Sequence, residues 1–178
     1  MRREVIVACD FPDREATLAF LDKFSGIREA EKPFVKIGME LFYAEGPQIV
    51  REIKERGHRI FLDLKLCDIP NTVKKAMAVL SRLDVDMVNL HAFGTTDMMQ
   101  AALEGLTRPD GSRPLLIAVT ELTSVSQESM ERDQWVKEPL SEVVMHYAEC
   151  AAKAGLDGVV CSPLESPLVH ERCGAAFL

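Results

Sequence analysis

The feature that most constrains the fold is a repeated alternation of short apolar runs with longer stretches of helical periodicity. Runs rich in Val, Ile and Leu predict strands at residues 5–9, 34–37, 60–64, 87–90, 115–120 and 158–161. Apolar residues three or four apart predict helices at residues 12–24, 40–56, 72–83, 95–106, 139–154 and 167–173. Gly46 and Pro47 predict a break in the second of these helices. Strands and helices that alternate in this way form an α/β fold, with a parallel sheet buried on both faces.

Two architectures fit this pattern: an open doubly wound sheet and a TIM (β/α)8 barrel. The first predicted strand is not followed by G-x-G-x-x-G, which weakens the dinucleotide-binding version of the open sheet. Polar residues stand at or near the carboxyl ends of the predicted strands: Asp10, Lys36, Asp63, Lys65, His91 and Thr120. In a barrel those ends converge on one mouth, where active sites are built, so we favour the barrel.

The length of the chain sets a limit on this barrel. Residues 1–178 contain no low-complexity tract, and they predict a single (β/α) barrel domain. Residues 175–178 resemble the start of a seventh strand, but six units and a fragment do not complete eight. Such barrels usually need about 200 residues or more. We therefore expect a barrel truncated after about six βα units, without its closing strands.

The composition argues against several classes of binding partner. A net charge of −7 argues against nucleic acid, which requires clustered Lys and Arg. The first apolar run is too short for a signal peptide or a membrane span. Five cysteines without a C-x-x-C pair predict reduced thiols, mostly buried, and four histidines lack metal-ligand spacing. We expect a cytoplasmic protein that binds neither nucleic acid nor membrane and holds no metal.

The densest group of charged residues lies at and after the third predicted strand. Because side chains alternate along a strand, Asp63 and Lys65 should share one face and point into the barrel. Lys36 ends the neighbouring strand, and Asp68 adds a second carboxylate in the following loop. Charges in a barrel interior are costly unless they are paired, so Asp63 and Lys65 could form a purely structural ion pair. The alternating Lys–Asp–Lys–Asp array instead favours a device that controls charge on a ligand.

The spacing D-x-K-x-x-D-I-P-x-T at residues 63–72 resembles the signature of the orotidine 5'-monophosphate (OMP) decarboxylase family. Supporting segments occur in the same order at residues 8–10, 35–38, 88–92, 118–124 and 157–162. The likeness runs along essentially the whole chain. Cys67 departs from the histidine found at this point in many members, and it lies between the charged positions.

The resemblance implies conversion of OMP to UMP and CO2 in pyrimidine biosynthesis, without a cofactor or a metal. It assigns catalysis to a network of Lys36, Asp63, Lys65 and Asp68, in which Lys65 protonates C6 of the pyrimidine. Asp10 and Lys36 would hold the ribose, and Thr123 would lie beside the pyrimidine. The implied substrate-binding set is Asp10, Lys36, Asp63, Leu64, Lys65, Leu66, Cys67, Asp68, Ile69, Pro70, Asn71, Thr72 and Thr123.

The resemblance also implies a homodimer, in which Asp68 and Thr72 reach the neighbouring subunit's site. Two alternatives remain open. A sugar-phosphate decarboxylase or aldolase of the same superfamily also uses D-x-K-x-x-D, but depends on Mg²⁺. An inactive truncated barrel that serves only as a dimerisation partner would retain Asp68 and Thr72 for the interface. His91 could contact the ligand or form hydrogen bonds at the barrel rim. We expect His58 and His146 at the surface or on helices.

Overall fold

The computed structural model describes residues 4–178, in which strands and helices alternate as the sequence predicts. The strands are Ile6–Ala8 (β1), Phe34–Gly38 (β2), Ile60–Leu66 (β3), Met87–His91 (β4), Leu115–Val119 (β5) and Gly158–Val160 (β6). The helices are Arg14–Leu21 (α1), Met39–Glu45 (α2), Pro47–Glu55 (α3), Pro70–Leu80 (α4), Thr95–Leu106 (α5), Gln127–Ser129 (α6), Leu140–Ala154 (α7) and Ser166–Cys173 (α8). Short 3-10 turns follow α1, precede β2 and follow β4, and a π-helical turn, Met130–Gln134, follows α6.

The sheet contains six parallel strands in the order β1-β2-β3-β4-β5-β6. Each strand pairs with its neighbours in sequence, so every helical crossover advances in the same direction around the sheet. A doubly wound sheet would reverse direction at its first strand, which this order does not do. The strands therefore form a curled half-barrel, which confirms the predicted barrel architecture.

The two faces of the curled sheet carry different side chains. The outer face packs against the helices in the main apolar core, which includes Ile37, Leu62 and Val88. On the other face, a separate small apolar cluster consists of Phe34, Phe61, Met87 and Ile117. Because side chains alternate along a strand, the residues two positions further along β2, β3 and β4 share this inner face. Those residues are polar, so the inner face changes from apolar to charged toward the carboxyl ends of the strands.

Two aspartates fasten neighbouring strands at their amino ends. Asp86, just before β4, accepts a hydrogen bond from the first amide of β3 at 2.8 Å and pairs with Lys54 at 3.1 Å. Asp157, just before β6, accepts one from the second amide of β5 at 2.7 Å and binds Arg113 through both oxygens. These contacts lie at the amino ends of the strands, away from the charged residues at the carboxyl ends. We therefore interpret them as structural ion pairs.

The structure confirms one detail of the sequence prediction and differs from it at two other places. The helix predicted at residues 40–56 is indeed divided at Gly46, where φ is +65°. Residues 175–178 form no regular strand, but the N–H of Leu178 donates to Asp157 and its carbonyl accepts from Val159, as in a parallel bridge. His58, which the sequence predicts at the surface or on a helix, is buried, and its Nδ1 lies 3.0 Å from the Pro33 carbonyl oxygen.

The remaining fold-level predictions concern the thiols, the membrane and the domain. All five cysteines are free, but only Cys9 is fully buried and Cys67 is exposed, so the expectation of mostly buried thiols is wrong. Among residues 4–178, each helix is too short or too polar to cross a lipid bilayer. The assignment of residues 1–178 to one domain stays a prediction.

Candidate active site

Four charged side chains form a continuous chain at the carboxyl ends of β1, β2 and β3. Lys36 Nζ lies 2.9 Å from Asp10 Oδ1 and 3.5 Å from Asp63 Oδ2. Asp63 Oδ1 in turn accepts a hydrogen bond from Lys65 Nζ at 2.7 Å. Negative and positive charges therefore alternate as Asp10–Lys36–Asp63–Lys65, which brings together four of the residues that the sequence predicted.

Lys65 reaches this chain through an irregular backbone. Its φ is +51°, in the left-handed region that residues with a side chain seldom occupy. Leu62 pairs with Val88 and Leu66 with Leu90, so three residues of β3 stand opposite one residue of β4. This β-bulge re-aims the Lys65 side chain. The prediction that Asp63 and Lys65 meet is confirmed, but a bulge and not simple alternation brings them together.

Asn89, the residue of β4 opposite the bulge, is a site residue that sequence reasoning missed. It is only 1% exposed, and its Nδ2 donates to Asp63 Oδ1 at 2.6 Å. Its Oδ1 accepts the backbone N–H of Lys65 at 2.8 Å. The sequence could have indicated this residue, because Asn89 is polar within an apolar strand and lies two positions before His91, on the same face of β4.

The electrostatics of the site follow from these contacts. Burial acts most strongly on Asp63 and by itself would raise its pKa. Hydrogen bonds from Lys65 and Asn89, with the charges of Lys65 and Lys36, outweigh burial and hold the pKa of Asp63 below its ordinary value. Burial also lowers the pKa of His91. The positive charge of Lys65 lowers it further, and the negative charges of Glu121 and Asp63 only partly oppose this shift. The site therefore presents an ionised Asp63 and a neutral His91 at neutral pH.

The loop after β3 is placed differently from the charged chain. Asp68 and Thr72 are exposed, and Ile69 between them is 67% exposed. Asp68 Oδ1 accepts the N–H of Ile69 at 2.6 Å. Within residues 4–178, Asp68 makes no salt bridge to Lys65 or Lys36, so the chain by itself brings together only part of the predicted network.

The other predicted contact residues lie partly in the apolar core and partly in exposed loops after β3 and β5. Leu64 is buried in the core between the sheet and the helices, and Leu66 is partly buried against it. Cys67, Pro70 and Asn71 are exposed along the loop that leads into α4. Thr123 is exposed just after β5. Their contact with a ligand stays a prediction.

The arrangement can act on a ligand that develops negative charge during a reaction. Lys65 offers an ammonium group that a carboxylate holds in place, and such a group can stabilise developing negative charge and then donate a proton. Lys36 and Asp10 offer a donor and an acceptor for hydroxyl groups on the side toward β1. Among residues 4–178, His, Cys, Asp and Glu side chains form no group of three suited to hold a metal ion.

Comparisons with known proteins agree with this geometry. The family model described as "Orotidine 5'-phosphate decarboxylase / HUMPS family" matches residues 3–177. The chain is 54% identical to the orotidine 5'-phosphate decarboxylase of Geobacillus sp. (strain WCH70) over all of this chain and 74% of that protein. It is 55% identical to the corresponding enzyme of Enterococcus faecalis, over all of this chain and 75% of that protein. The crystal structure of orotidine 5'-phosphate decarboxylase from Lactobacillus acidophilus superposes with a TM-score of 0.91 at 40% identity, covering 99% of this chain and 79% of that one.

Proposed function

The chain belongs to the orotidine 5'-phosphate decarboxylase / HUMPS family, and on this premise we propose that it converts OMP to UMP and CO2. The observation that carries the proposal is the alternating chain Asp10–Lys36–Asp63–Lys65 at the strand ends. Curated relatives at 54–55% identity bear the name of this activity. The pathway is then pyrimidine nucleotide synthesis, and the cytoplasm is the expected location.

Lys65 is the proposed proton donor. As the bond between C6 and the carboxylate breaks, CO2 leaves and the electron pair stays on C6, in the plane of the ring. An ammonium group beside C6 stabilises this pair electrostatically and then transfers a proton to it, giving UMP. Asp63 holds the ammonium in position through its 2.7 Å hydrogen bond. Solvent then returns a proton to Lys65.

The remaining residues have binding roles in this proposal. Asp10 and Lys36, joined at 2.9 Å, would hold the ribose hydroxyls. The loop from Leu66 to Thr72 would pass along the substrate, with Thr123 beside the pyrimidine. An exposed loop of this kind can order when a ligand binds, which would bring its side chains over the site.

The test is a comparison of two lysines in similar environments. Lys65 and Lys54 each pair with an aspartate, and their side chains are 26% and 23% exposed. Lys54 lies at the opposite end of the sheet. We expect Lys65→Ala to abolish OMP decarboxylation, followed by ultraviolet absorbance, while Lys54→Ala retains it. Near-normal turnover by folded Lys65→Ala would refute the role given to Lys65.

A homodimer is a further part of the proposal. Asp68, Ile69 and Thr72 are exposed at the start of α4, where a second copy could bury them and receive Asp68 beside its own Lys65. Two inactive variants test this directly. Mixing Lys65→Ala with Asp68→Ala protein should restore about a quarter of the wild-type activity, because half the dimers are mixed and each has one intact site. No recovery after confirmed subunit exchange would exclude shared sites.

The same assay separates the alternatives. A Mg²⁺-dependent sugar-phosphate decarboxylase or aldolase would lose its activity in EDTA and leave OMP unchanged. A chain that acts only as a dimerisation partner would fold and associate, yet it would neither turn over OMP nor bind a 6-substituted UMP analogue. OMP turnover that resists EDTA is the outcome expected from the proposed function.

A further inference from the structure

Asn89 lies at the centre of the charged cluster although it carries no charge itself. Both polar groups of its buried amide are bound by site residues: Nδ2 by Asp63 and Oδ1 by the backbone N–H of Lys65. We propose that Asn89 is a positioning residue, which fixes the left-handed backbone of Lys65 and thereby the aim of its ammonium group. The expected effect on catalysis rests on the proposed function, whereas the effect on the backbone of Lys65 does not.

The chemistry of the two partners requires an amide at this position. The N–H of Lys65 can only donate, and the ionised carboxylate of Asp63 can only accept. Asparagine is the short side chain that offers an acceptor on one branch and a donor on the other. Aspartate would keep the acceptor but would set a second carboxylate beside Asp63. Leucine would fill the space and leave both partners without a hydrogen bond.

The bulge in β3 explains why the Lys65 amide needs a side-chain acceptor. Residues 63–65 stand opposite Asn89 alone, between the pairs Leu62–Val88 and Leu66–Leu90. Such a bulge disrupts the ladder, so the Lys65 N–H needs an acceptor from outside the regular strand pairing. Asn89 Oδ1 provides one at 2.8 Å. A residue with a side chain keeps a left-handed φ only where its surroundings hold it there, and this hydrogen bond is one such constraint.

Loss of this constraint should affect the rate more than substrate binding. If Lys65 relaxes toward an extended φ, its Nζ moves away from the position set by Asp63. Displacement of a reacting group by about 1 Å can reduce a rate by about 100-fold. Asp10 and Lys36, which would hold the ribose, are joined to each other and make no hydrogen bond to Asn89. The expected signature is therefore a fall of about 100-fold in kcat with KM changed by about threefold or less.

The experiment uses three variants of the full chain. Asn89→Leu keeps the branched shape and the number of side-chain heavy atoms and removes both hydrogen bonds, whereas Asn89→Asp preserves the acceptor for Lys65. Ser81→Ala is the matched control, because it removes another buried hydrogen bond, to the Ala78 carbonyl, at the far end of α4. We expect Asn89→Leu to lose kcat as above, and Ser81→Ala to keep both kcat and KM.

A pH profile separates positioning from a merely structural role. Asp63 faces Lys36 from β2, Lys65 from its own strand and Asn89 from β4; His91 lies at the end of β4, and Asp10 and Glu121 follow β1 and β5. Removing the Asn89 donor raises the pKa of Asp63, so the acidic limb of kcat should move to higher pH in Asn89→Asp and Asn89→Leu. Ser81→Ala should leave that limb in place.

Crystal structures of the variants make the inference independent of turnover. We expect Lys65 to remain left-handed in Asn89→Asp and to adopt a negative φ in Asn89→Leu. A folded Asn89→Leu protein that retains the left-handed Lys65, or kcat within about threefold of wild type, would overturn the inference. If the wild-type chain turns over no OMP, the proposed function fails, and the φ of Lys65 still decides the role of Asn89. If Asn89→Leu does not fold, Asn89→Ala, which also removes both hydrogen bonds, takes its place: a left-handed Lys65 or a kcat within about threefold of wild type in that variant overturns the inference.

Discussion

Gly105, near the end of α5, provides a sharp test of the packing that carries the loop after β3. Helices α4 and α5 are adjacent, and α4 begins at the Pro70 end of that loop. A Cβ atom placed on Gly105 would overlap the carbonyl oxygen of Lys74 and lie 2.8 Å from its carbonyl carbon. These are backbone atoms, so a rotamer change cannot relieve the overlap. Gly105→Ala therefore requires the two helices to move apart.

Two opposing effects decide the outcome. Alanine is favoured over glycine inside a helix by about 1 kcal/mol. Carbon atoms in contact prefer separations of about 3.5 Å, so the helices must separate by at least about 0.7 Å. Overpacking of this kind costs about 1–3 kcal/mol, and a backbone contact belongs in the upper part of that range. The overlap should win, giving a net loss of about 1–2 kcal/mol in the free energy of unfolding.

Urea unfolding monitored by circular dichroism measures this loss. With an m-value of about 2 kcal/mol/M, the midpoint should fall by about 0.5–1 M. Gly26→Ala is the matched control, because a Cβ there meets nothing within 4 Å and the backbone is not left-handed. Gly26→Ala should leave the free energy of unfolding unchanged or raise it by up to about 1 kcal/mol. A Gly105→Ala protein as stable as Gly26→Ala would refute the close approach of the two helices.

Three further predictions concern other parts of the molecule. Asp157→Ala removes the partner of Arg113 and of a strand amide, and should lower the free energy of unfolding by about 2–4 kcal/mol in the same urea assay; a loss below about 1 kcal/mol would contradict the clamp. Because the pKa of Asp63 is lower in the folded protein than in the unfolded chain, its ionised form stabilises the fold at pH values above the unfolded pKa. This stabilisation is lost as the pH falls through the pKa of the folded protein. The free energy of unfolding should therefore decrease below about pH 4, and less steeply in Asp63→Asn. Burial raises the pKa of Cys9 to about 11, so a thiol reagent at neutral pH should modify exposed Cys67 well before Cys9; mass spectrometry of the modified peptides checks the order.

Much of the fold could be predicted from periodicity alone. The strand at 60–64 and the helix at 95–106 occur where the sequence places them, because burial on one or both faces imposes a period of 2 or 3.6 on apolar residues. The candidate site was also accessible at the level of residue type, since Lys36 and Asp63 stand at strand ends. The prediction that His58 lies at the surface or on a helix is wrong, because a histidine between Gly57 and Arg59 has no local pattern that reports its burial.

The sequence by itself determined the strand and helix order, the barrel and the charged residues of its mouth, since these depend on local patterns, on polar residues at strand ends and on a motif within ten residues. Only the tertiary structure decided the bulge that turns Lys65 to Asp63, the part of Asn89 in holding it, and the need for glycine at position 105. Each of these depends on an atom from another strand or helix, 24 or more residues away in the chain. Contacts of that kind leave no periodic trace in a sequence, because they are set by the distance between packed elements and not by the neighbours along the chain.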